Sequence, residues 1–205
     1  MSRNEPRISV ATIEGAQEQI DRASRYLAGI PQGVEIAMLN AMRRALTAGR
    51  TAGTRKVREV YAIRAGDVRK AFVMSRRPSR SNLEGELRSR GKSLPISKFR
   101  YSPTDETTGG RRRLVRASVK KDGGLKPLGI AFVRNNKEYG NVWQRLGKTS
   151  YPIRPVYAIS IPQMLGEGRV VDAVQETMIE TTNKRLDHEI YRLLNGFEGK
   201  ASWRE

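Results

Sequence analysis

The sequence predicts an α+β protein: a long amphipathic helix packed on a mainly antiparallel β-sheet, followed by a long C-terminal helix. Apolar and small residues recur every three or four positions over 34–60, as in a helix with one buried side. A two-residue alternation then governs much of 83–161, and a second helical stretch spans 167–194. The predicted domain organisation is an N-terminal arm over 1–33, an α+β domain over 34–195 and a C-terminal tail over 196–205.

The arm precedes a Pro/Gly cluster at 29–33, which is a typical break between elements. Apolar alternation over 8–13 allows a short strand, and residues 20–28 allow a short helical turn. The arm has four basic and four acidic side chains and is therefore neutral. Two alternatives stay open: the arm packs on a neighbouring subunit, or it is poorly ordered.

One side of the helix over 34–60 is a narrow seam of apolar and small residues. The seam comprises Met38, Met42, Ala45, Gly49, Gly53, Val57 and Val60. Each glycine inside a helix costs about 1 kcal/mol relative to alanine, and close approach of another backbone would offset this cost. We therefore predict that the seam, from Met38 to Gly53, forms a subunit interface. The alternative is a helix that breaks or kinks near one of its glycines.

The opposite side of this helix is basic and rich in threonine. It comprises Arg43, Thr47, Arg50, Thr54 and Arg58. The chain has a net charge of +18, of which residues 34–72 contribute +6 and residues 73–121 contribute +10. A field of this size attracts polyanions such as DNA, RNA or an acidic protein surface. A charge that serves solubility alone, without a fixed partner, is the alternative.

Eight basic residues are candidates for contact with a DNA channel or with an acidic partner. They are Arg43, Arg50, Arg58, Arg111, Arg112, Arg113, Lys120 and Lys121. No zinc finger, aromatic ribonucleoprotein motif or Gly-x-x-Gly loop accompanies them. If nucleic acid is bound, we therefore expect contact with its phosphate backbone and no reading of bases.

Short elements are predicted between the two long helices. Asp67 can cap a helix over 68–74, and Pro78 marks an exposed connector. The strands are expected at 83–90, 94–99, 142–146 and 156–161, with a polar loop at 101–113. A β-hairpin is predicted from residues 115–119 and 128–132, because Asp122-Gly123-Gly124 between them is a turn signal.

The sequence offers no recognisable catalytic or metal-binding motif. Cysteine is absent, and the single histidine, His188, has no second histidine for a metal site. Asp187 and Glu189 flank it, but adjacent helical residues point in different directions. We therefore expect no enzyme activity, no metal and no cofactor. No apolar run approaches about 18 residues, and the first residues lack an apolar signal region, so neither a membrane partner nor secretion is expected.

Six short motifs resemble those of the minor tail protein Z family of long-tailed phages and prophages, the lambda-type tail completion proteins. They are Ala41-Met42-Arg43-Arg44-Ala45-Leu46 with Arg50-Thr51, Ile63-Arg64-Ala65-Gly66-Asp67-Val68-Arg69-Lys70, Leu94-Pro95-Ile96-Ser97-Lys98-Phe99, Gly129-Ile130-Ala131-Phe132-Val133, Gln144-Arg145-Leu146-Gly147-Lys148 and Ser160-Ile161-Pro162-Gln163-Met164-Leu165. Their order and spacing cover roughly residues 34–195.

The resemblance implies a structural virion protein at the head-proximal end of the tail, present in the host cytoplasm during assembly. Such proteins make tails competent to join DNA-filled heads, and related proteins form rings, commonly sixfold, around the DNA channel. The implied partners are further copies of the chain, a tail terminator or tail tube protein, head-connector proteins and viral genomic DNA. A non-specific nucleic-acid-binding protein is the alternative function.

Overall fold

A computed structural model describes residues 7–14, 17–104, 114–134 and 142–196. It contains both helices and antiparallel strand pairs, which confirms the predicted α+β class. The chain divides into two compact units, each assembled from three segments. Unit 1 consists of Met1–Ile8, Thr54–Ala71 and Ser89–Glu167, and unit 2 consists of Ser9–Gly53, Phe72–Arg88 and Gly168–Glu205. Neither unit corresponds to one of the ranges 1–33, 34–195 or 196–205.

The α-helices of the described residues are α1 (Gln17–Leu27), α2 (Gly33–Val60), α3 (Ala65–Ala71), α4 (Ile161–Leu165) and α5 (Gly168–Leu194). The strands are β1 (Arg7–Glu14), β2 (Phe72–Arg76), β3 (Glu84–Arg90), β4 (Ser93–Pro95), β5 (Arg100–Ser102), β6 (Arg116–Ser118), β7 (Lys126–Pro127), β8 (Ala131–Val133), β9 (Val142–Arg145), β10 (Ile153–Pro155) and β11 (Tyr157–Ser160). Within the described ranges they form sheets of order β1-β3-β2, β10-β9-β8, β11-β4 and β5-β6-β7.

The two long helices agree with the prediction to within one residue at each end. Helix α2 begins at Gly33 and runs unbroken through Gly49 and Gly53 to Val60. The alternative of a break at one of these glycines is therefore wrong. Helix α5 buries Val170, Val174, Met178, Thr182, Leu186 and Ile190 along one side. This spacing of four residues is the periodicity that predicts a helix with one apolar face.

The predicted arm is more regular than expected. Residues 7–14 form β1 beside β3 in a three-stranded sheet, and residues 17–27 form the 11-residue helix α1 instead of a single turn. Helix α1 lies along α5, where the Arg22 guanidinium pairs with the Asp187 carboxylate. Ala23 and Leu27 are buried, so α1 contributes to the core of unit 2.

Several short elements differ from the prediction. Helix α3 spans Ala65–Ala71, and residues 72–76 continue as strand β2. The hairpin partner of β6 is the two-residue strand β7, whereas β8 pairs with β9. Isolated periodicity could not choose between these pairings, because the alternation in a strand of two to four residues is too short to specify its partner.

Two further differences concern the Pro-rich part of unit 1. Residues 153–155 form β10 on the edge of β9, where proline is tolerated. Residues 161–165, for which no helix was predicted, form α4 directly after β11, the last of the described strands. Ser160 caps α4: its hydroxyl accepts from the Gln163 backbone N–H, and the Gln163 side chain accepts from the Ser160 N–H. This reciprocal arrangement is a capping box.

Two polar residues predicted to face solvent are buried. Thr54 is 4% exposed, although it belongs to the predicted basic side of α2. Glu86, at the centre of β3, is 6% exposed. Its carboxylate accepts hydrogen bonds from Ser9 Oγ at 2.8 Å, Ser75 Oγ at 2.7 Å and Arg88 Nε at 2.8 Å. These donors compensate the desolvation of the charge.

Candidate nucleic-acid interface

The net charge of the chain is concentrated in one of the two units. By sequence, unit 1 has 24 basic and 8 acidic side chains, a net charge of +16. Unit 2 has 15 basic and 13 acidic side chains, a net charge of +2. A compact body of this charge raises the local concentration of polyanions. The electrostatic candidate for a binding surface is therefore unit 1.

The end of α2 and the turn after β6 meet within unit 1. Tyr61 and Lys120 form an isolated antiparallel bridge. The Lys121 backbone N–H donates to the Val60 carbonyl at 2.9 Å. This pairing brings Lys120 and Lys121 to the end of the helix that carries Arg58. Three of the predicted contact residues, separated by about 60 positions in sequence, therefore belong to one local cluster.

Tyr61 helps to hold Lys120 in this cluster. The Lys120 Nζ atom lies 6.0 Å from the centroid of the Tyr61 ring, at the outer limit for a cation–π interaction. The Tyr61 ring is buried, and its hydroxyl donates to Glu167 Oε2 at 3.1 Å. Because burial and the hydrogen bond to Glu167 hold the Tyr61 ring in place, the exposed Lys120 side chain lies over a rigid aromatic ring.

Glu59 is an acidic side chain among the cations of this cluster. A hydrogen bond from Lys56 lowers the pKa of the Glu59 carboxyl below its ordinary value, and the positive charges of Lys56, Arg55 and Lys121 act in the same direction. The Lys56 Nζ lies 3.0 Å from Glu59 Oε2, and Arg55 Nε lies 3.9 Å from Oε1. The positive charges thus outnumber the carboxylate locally. They also face the negative end of the α2 dipole, which stabilises the helix terminus.

The sheet β5-β6-β7 adds two arginines to the eight basic residues that were predicted as contacts. Arg100 and Arg116 are both exposed. The register pairs Arg100 with Ser118 and Ser102 with Arg116, so both arginines project from the same face. Diagonal neighbours of this kind lie about 7–8 Å apart. The alternation of Arg116 with Val115 and Ala117 was visible in sequence, but its partner strand β5 was not.

The remaining predicted contact residues are distributed differently. Arg43 and Arg50 belong to unit 2, Arg43 as an exposed side chain and Arg50 as a half-buried one. Arg58, Lys120 and Lys121 are exposed and belong to unit 1. Arg111, Arg112 and Arg113 lie outside the described residues. The structure therefore groups Arg58 with the lysine pair, and it adds Arg55, Lys56, Arg100 and Arg116 to the candidate surface.

The predicted subunit-interface seam needs correction. Met38, Met42 and Ala45 have no exposed surface, and Gly49 and Gly53 are also buried. A Cβ atom at Gly49 would lie 2.6 Å from Met178 of the same chain. The small residues of α2 therefore leave room for the Met178 side chain of α5, and their surface is already buried within unit 2.

Sites of other kinds are not apparent in the described ranges. There, no three His, Asp or Glu side chains lie together so that they could hold a metal ion. Within the same ranges, no helix combines the length and apolar character needed to cross a bilayer. His188 is exposed on α5 between Asp187, which pairs with Arg22, and Glu189, which pairs with Arg192. Both neighbouring carboxylates therefore have cationic partners other than His188.

Comparisons of the chain with protein-family models, curated proteins and solved structures give no match. The similarity to the minor tail protein Z family therefore rests on the short motifs alone. The charge distribution is an observation independent of that similarity.

Proposed function

We propose that the protein is a structural, non-catalytic component of a phage tail that acts in tail completion or head–tail joining. In this proposal, unit 1 faces viral DNA or an acidic ring of a neighbouring protein. The observation that carries the proposal is the concentration of a +16 charge in unit 1, with Arg58, Lys120 and Lys121 grouped at one end of α2. The tail assignment draws on the motif resemblance, and the DNA contact draws on the charge.

The proposed DNA contact is with the phosphate backbone. Arginine and lysine neutralise phosphates and release counterions, which gives affinity without sequence preference. The cluster supplies flexible cations at a helix end and on a sheet face. This composition suits a channel through which any sequence passes.

The proposed assembly is a homomeric ring around the DNA, sixfold as in related tail proteins. Its neighbours would be a tail terminator or tail tube protein and the head-connector proteins. Since the α2 seam is buried within unit 2, the ring contacts would use other surfaces, such as the outermost strands β1 and β2 or β8 and β10. Unpaired strand edges are ready templates for pairing with a second chain.

Labelling of purified tails tests the assignment to the virion. An antibody or gold tag on the protein should mark the head-proximal end of assembled tails in electron micrographs. The purified chain should also form oligomers in sedimentation experiments from which nucleic acid has been removed. Absence of the protein from mature particles would contradict the tail assignment, whatever its behaviour toward DNA.

The salt dependence of DNA binding tests the proposed surface. A plot of log affinity against log salt should flatten in the triple variant Arg58→Ala/Lys120→Ala/Lys121→Ala, because each lost phosphate contact removes about 0.9 from the slope. Three contacts predict a reduction of about 2.7 in slope, measured by fluorescence anisotropy on a short duplex. The matched control, Arg25→Ala/Arg44→Ala/Arg77→Ala, removes three exposed charges from unit 2.

The control should retain the wild-type slope. Equal slopes in the wild type, the triple variant and the control would contradict the proposal that this surface contacts DNA. Steep salt-dependent binding by a monomer that never associates with tails would instead favour the second candidate, a non-specific nucleic-acid-binding protein. The same +16 charge of unit 1 is the observation that supports this candidate.

A further inference from the structure

A shallow depression of about 390 Å³ lies beside α5 in unit 2. Its lining among the described residues is Thr181, Lys184, Arg185 and His188. These positions are spaced i, i+3, i+4 and i+7, which places them on one side of the helix. Its volume falls within the range of about 300–1,000 Å³ that is common for small-ligand sites.

Two basic side chains, Lys184 and Arg185, lie at the depression; of the nearby acids on α5, Asp187 and Glu189 have other partners, and Glu180 lies one turn before Lys184. Asp187 pairs with Arg22 on α1. Glu189 pairs with Arg192, and Asn40 of α2 donates to it at 3.0 Å. In the part of the chain that the structure describes, Lys184, Arg185 and His188 have no side-chain hydrogen bond or ion pair. Lys184 and Arg185 both carry a permanent positive charge, which a bound anion would offset.

We infer that this depression binds a phosphate group, either of a small phosphorylated compound or of a nucleic-acid backbone. The chemistry of the four side chains matches a phosphate. Arg185 can donate two parallel hydrogen bonds to a pair of oxygens, Lys184 supplies a compact charge, and Thr181 and His188 supply further donors. The site belongs to unit 2, and the inference does not depend on the tail assignment.

His188 is the only histidine in the chain, so its imidazole signals in an NMR spectrum report on this site alone. At constant pH, addition of inorganic phosphate should shift these signals along a saturating curve. Chloride at the same ionic strength should give no saturating curve. A linear drift in phosphate equal to that in chloride would overturn the inference without any variant.

The variant Lys184→Ala/Arg185→Ala should weaken phosphate binding at least about tenfold, since it removes both permanent charges that would contact the oxygens. The control Arg44→Ala/Arg77→Ala removes two exposed arginines from the same unit and should keep the wild-type midpoint. Both variants change exposed side chains, and circular dichroism should show that both remain folded. An unchanged midpoint in Lys184→Ala/Arg185→Ala would overturn the inference.

A DNA duplex distinguishes the two sources of phosphate. If a short duplex shifts the His188 signals and competes with inorganic phosphate, the site binds a nucleic-acid backbone. If inorganic phosphate binds and the duplex leaves the His188 signals unchanged, the ligand is a small phosphorylated compound. Both results support a phosphate site, whereas failure of both ligands to shift the signals contradicts it. Loss of DNA binding in the unit 1 variant bears on the other surface only.

Discussion

At Gly49, the absence of a side chain decides how α2 packs. An added Cβ atom would lie 2.6 Å from both Cγ and Sδ of Met178 and 3.3 Å from Leu87 Cδ1. A Cβ atom cannot lie 2.6 Å from another heavy atom unless one of them shifts. Glycine at this position therefore lowers the helix propensity of α2 but allows α5 to pack closely against it. The sequence suggested close approach of another backbone at this position, whereas the approaching groups are side chains. It could not show that the approaching group belongs to the same chain.

We predict that Gly49→Ala lowers the free energy of unfolding by up to about 2 kcal/mol. Overpacking costs about 1–3 kcal/mol, and the gain in helix propensity offsets about 1 kcal/mol of it. Gly66→Ala in α3 is the matched control, because no atom lies within 4 Å of its added Cβ. Urea denaturation should place Gly66→Ala at or above the wild type and Gly49→Ala below it.

A gain in stability from Gly49→Ala equal to that from Gly66→Ala would show that Met178 moves aside at no cost. A double-mutant cycle with Met178→Ala separates the two explanations, because contacting residues couple and distant residues add. The cost of Gly49→Ala should shrink once Met178 has been truncated.

Among the elements, the hydrogen-bonded sheet β1-β3-β2 is also linked across all three strands by one carboxylate. Glu86 on the central strand accepts from Ser9 on β1 and from Ser75 on β2. The hydrogen bond from Arg88, followed by that from Ser75, lowers the Glu86 pKa from an ordinary value of 4.5 to about 2. The folded state therefore favours the ionised carboxylate.

The sign of the pH dependence follows from this lowered pKa. Above pH 4.5 the carboxylate is ionised in both states and its stabilising contribution is complete. Between pH 4.5 and about 2 the unfolded chain binds the proton first, so the contribution is lost as the pH falls. We predict that the wild type loses stability over this window more steeply than Glu86→Gln does.

Thermal unfolding at a series of pH values measures this difference. Glu86→Gln should also be less stable at pH 7 by about 1–3 kcal/mol, because it leaves buried donors without a charged acceptor. Other carboxylates titrate in both proteins and cancel in the comparison. If the plots of stability against pH for the two proteins were parallel between pH 5 and 2, Glu86 would not titrate with a pKa of about 2 in the folded state.

The elements also show which parts of the fold the sequence could predict. Helices α2 and α5 each span more than seven turns, so local periodicity determines them almost completely. The strand β10, with prolines beside and within it, depends on a ladder to β9. Glu86 falls on the polar side of its alternation, yet it is buried because donors from two other strands reach it. Such partners lie on other strands and leave no signal in the alternation of the strand that they contact.

At the scale of the whole molecule, folding brings most of the excess basic residues into one of the two units, which are each assembled from three separate segments of the sequence. The basic excess over 34–121 enters both units, but unit 1 retains a net charge of +16 because the acidic residues of α5 belong to unit 2. The basic character of the candidate surface was therefore predictable from composition. Which residues form that surface was not predictable from composition, since the Tyr61–Lys120 bridge joins segments about 60 residues apart.

The salt link between Lys56 and Glu59 has a consequence for how such a surface would hold DNA. Glu59 acts as a resident counter-ion, and an incoming phosphate must compete with it for the same ammonium group. Contact at Lys56 is then an exchange of one anion for another, with a smaller net gain than contact with an unpaired cation. Under the proposed function, a duplex retained through exchanges of this kind can slide across the surface during genome passage without becoming trapped.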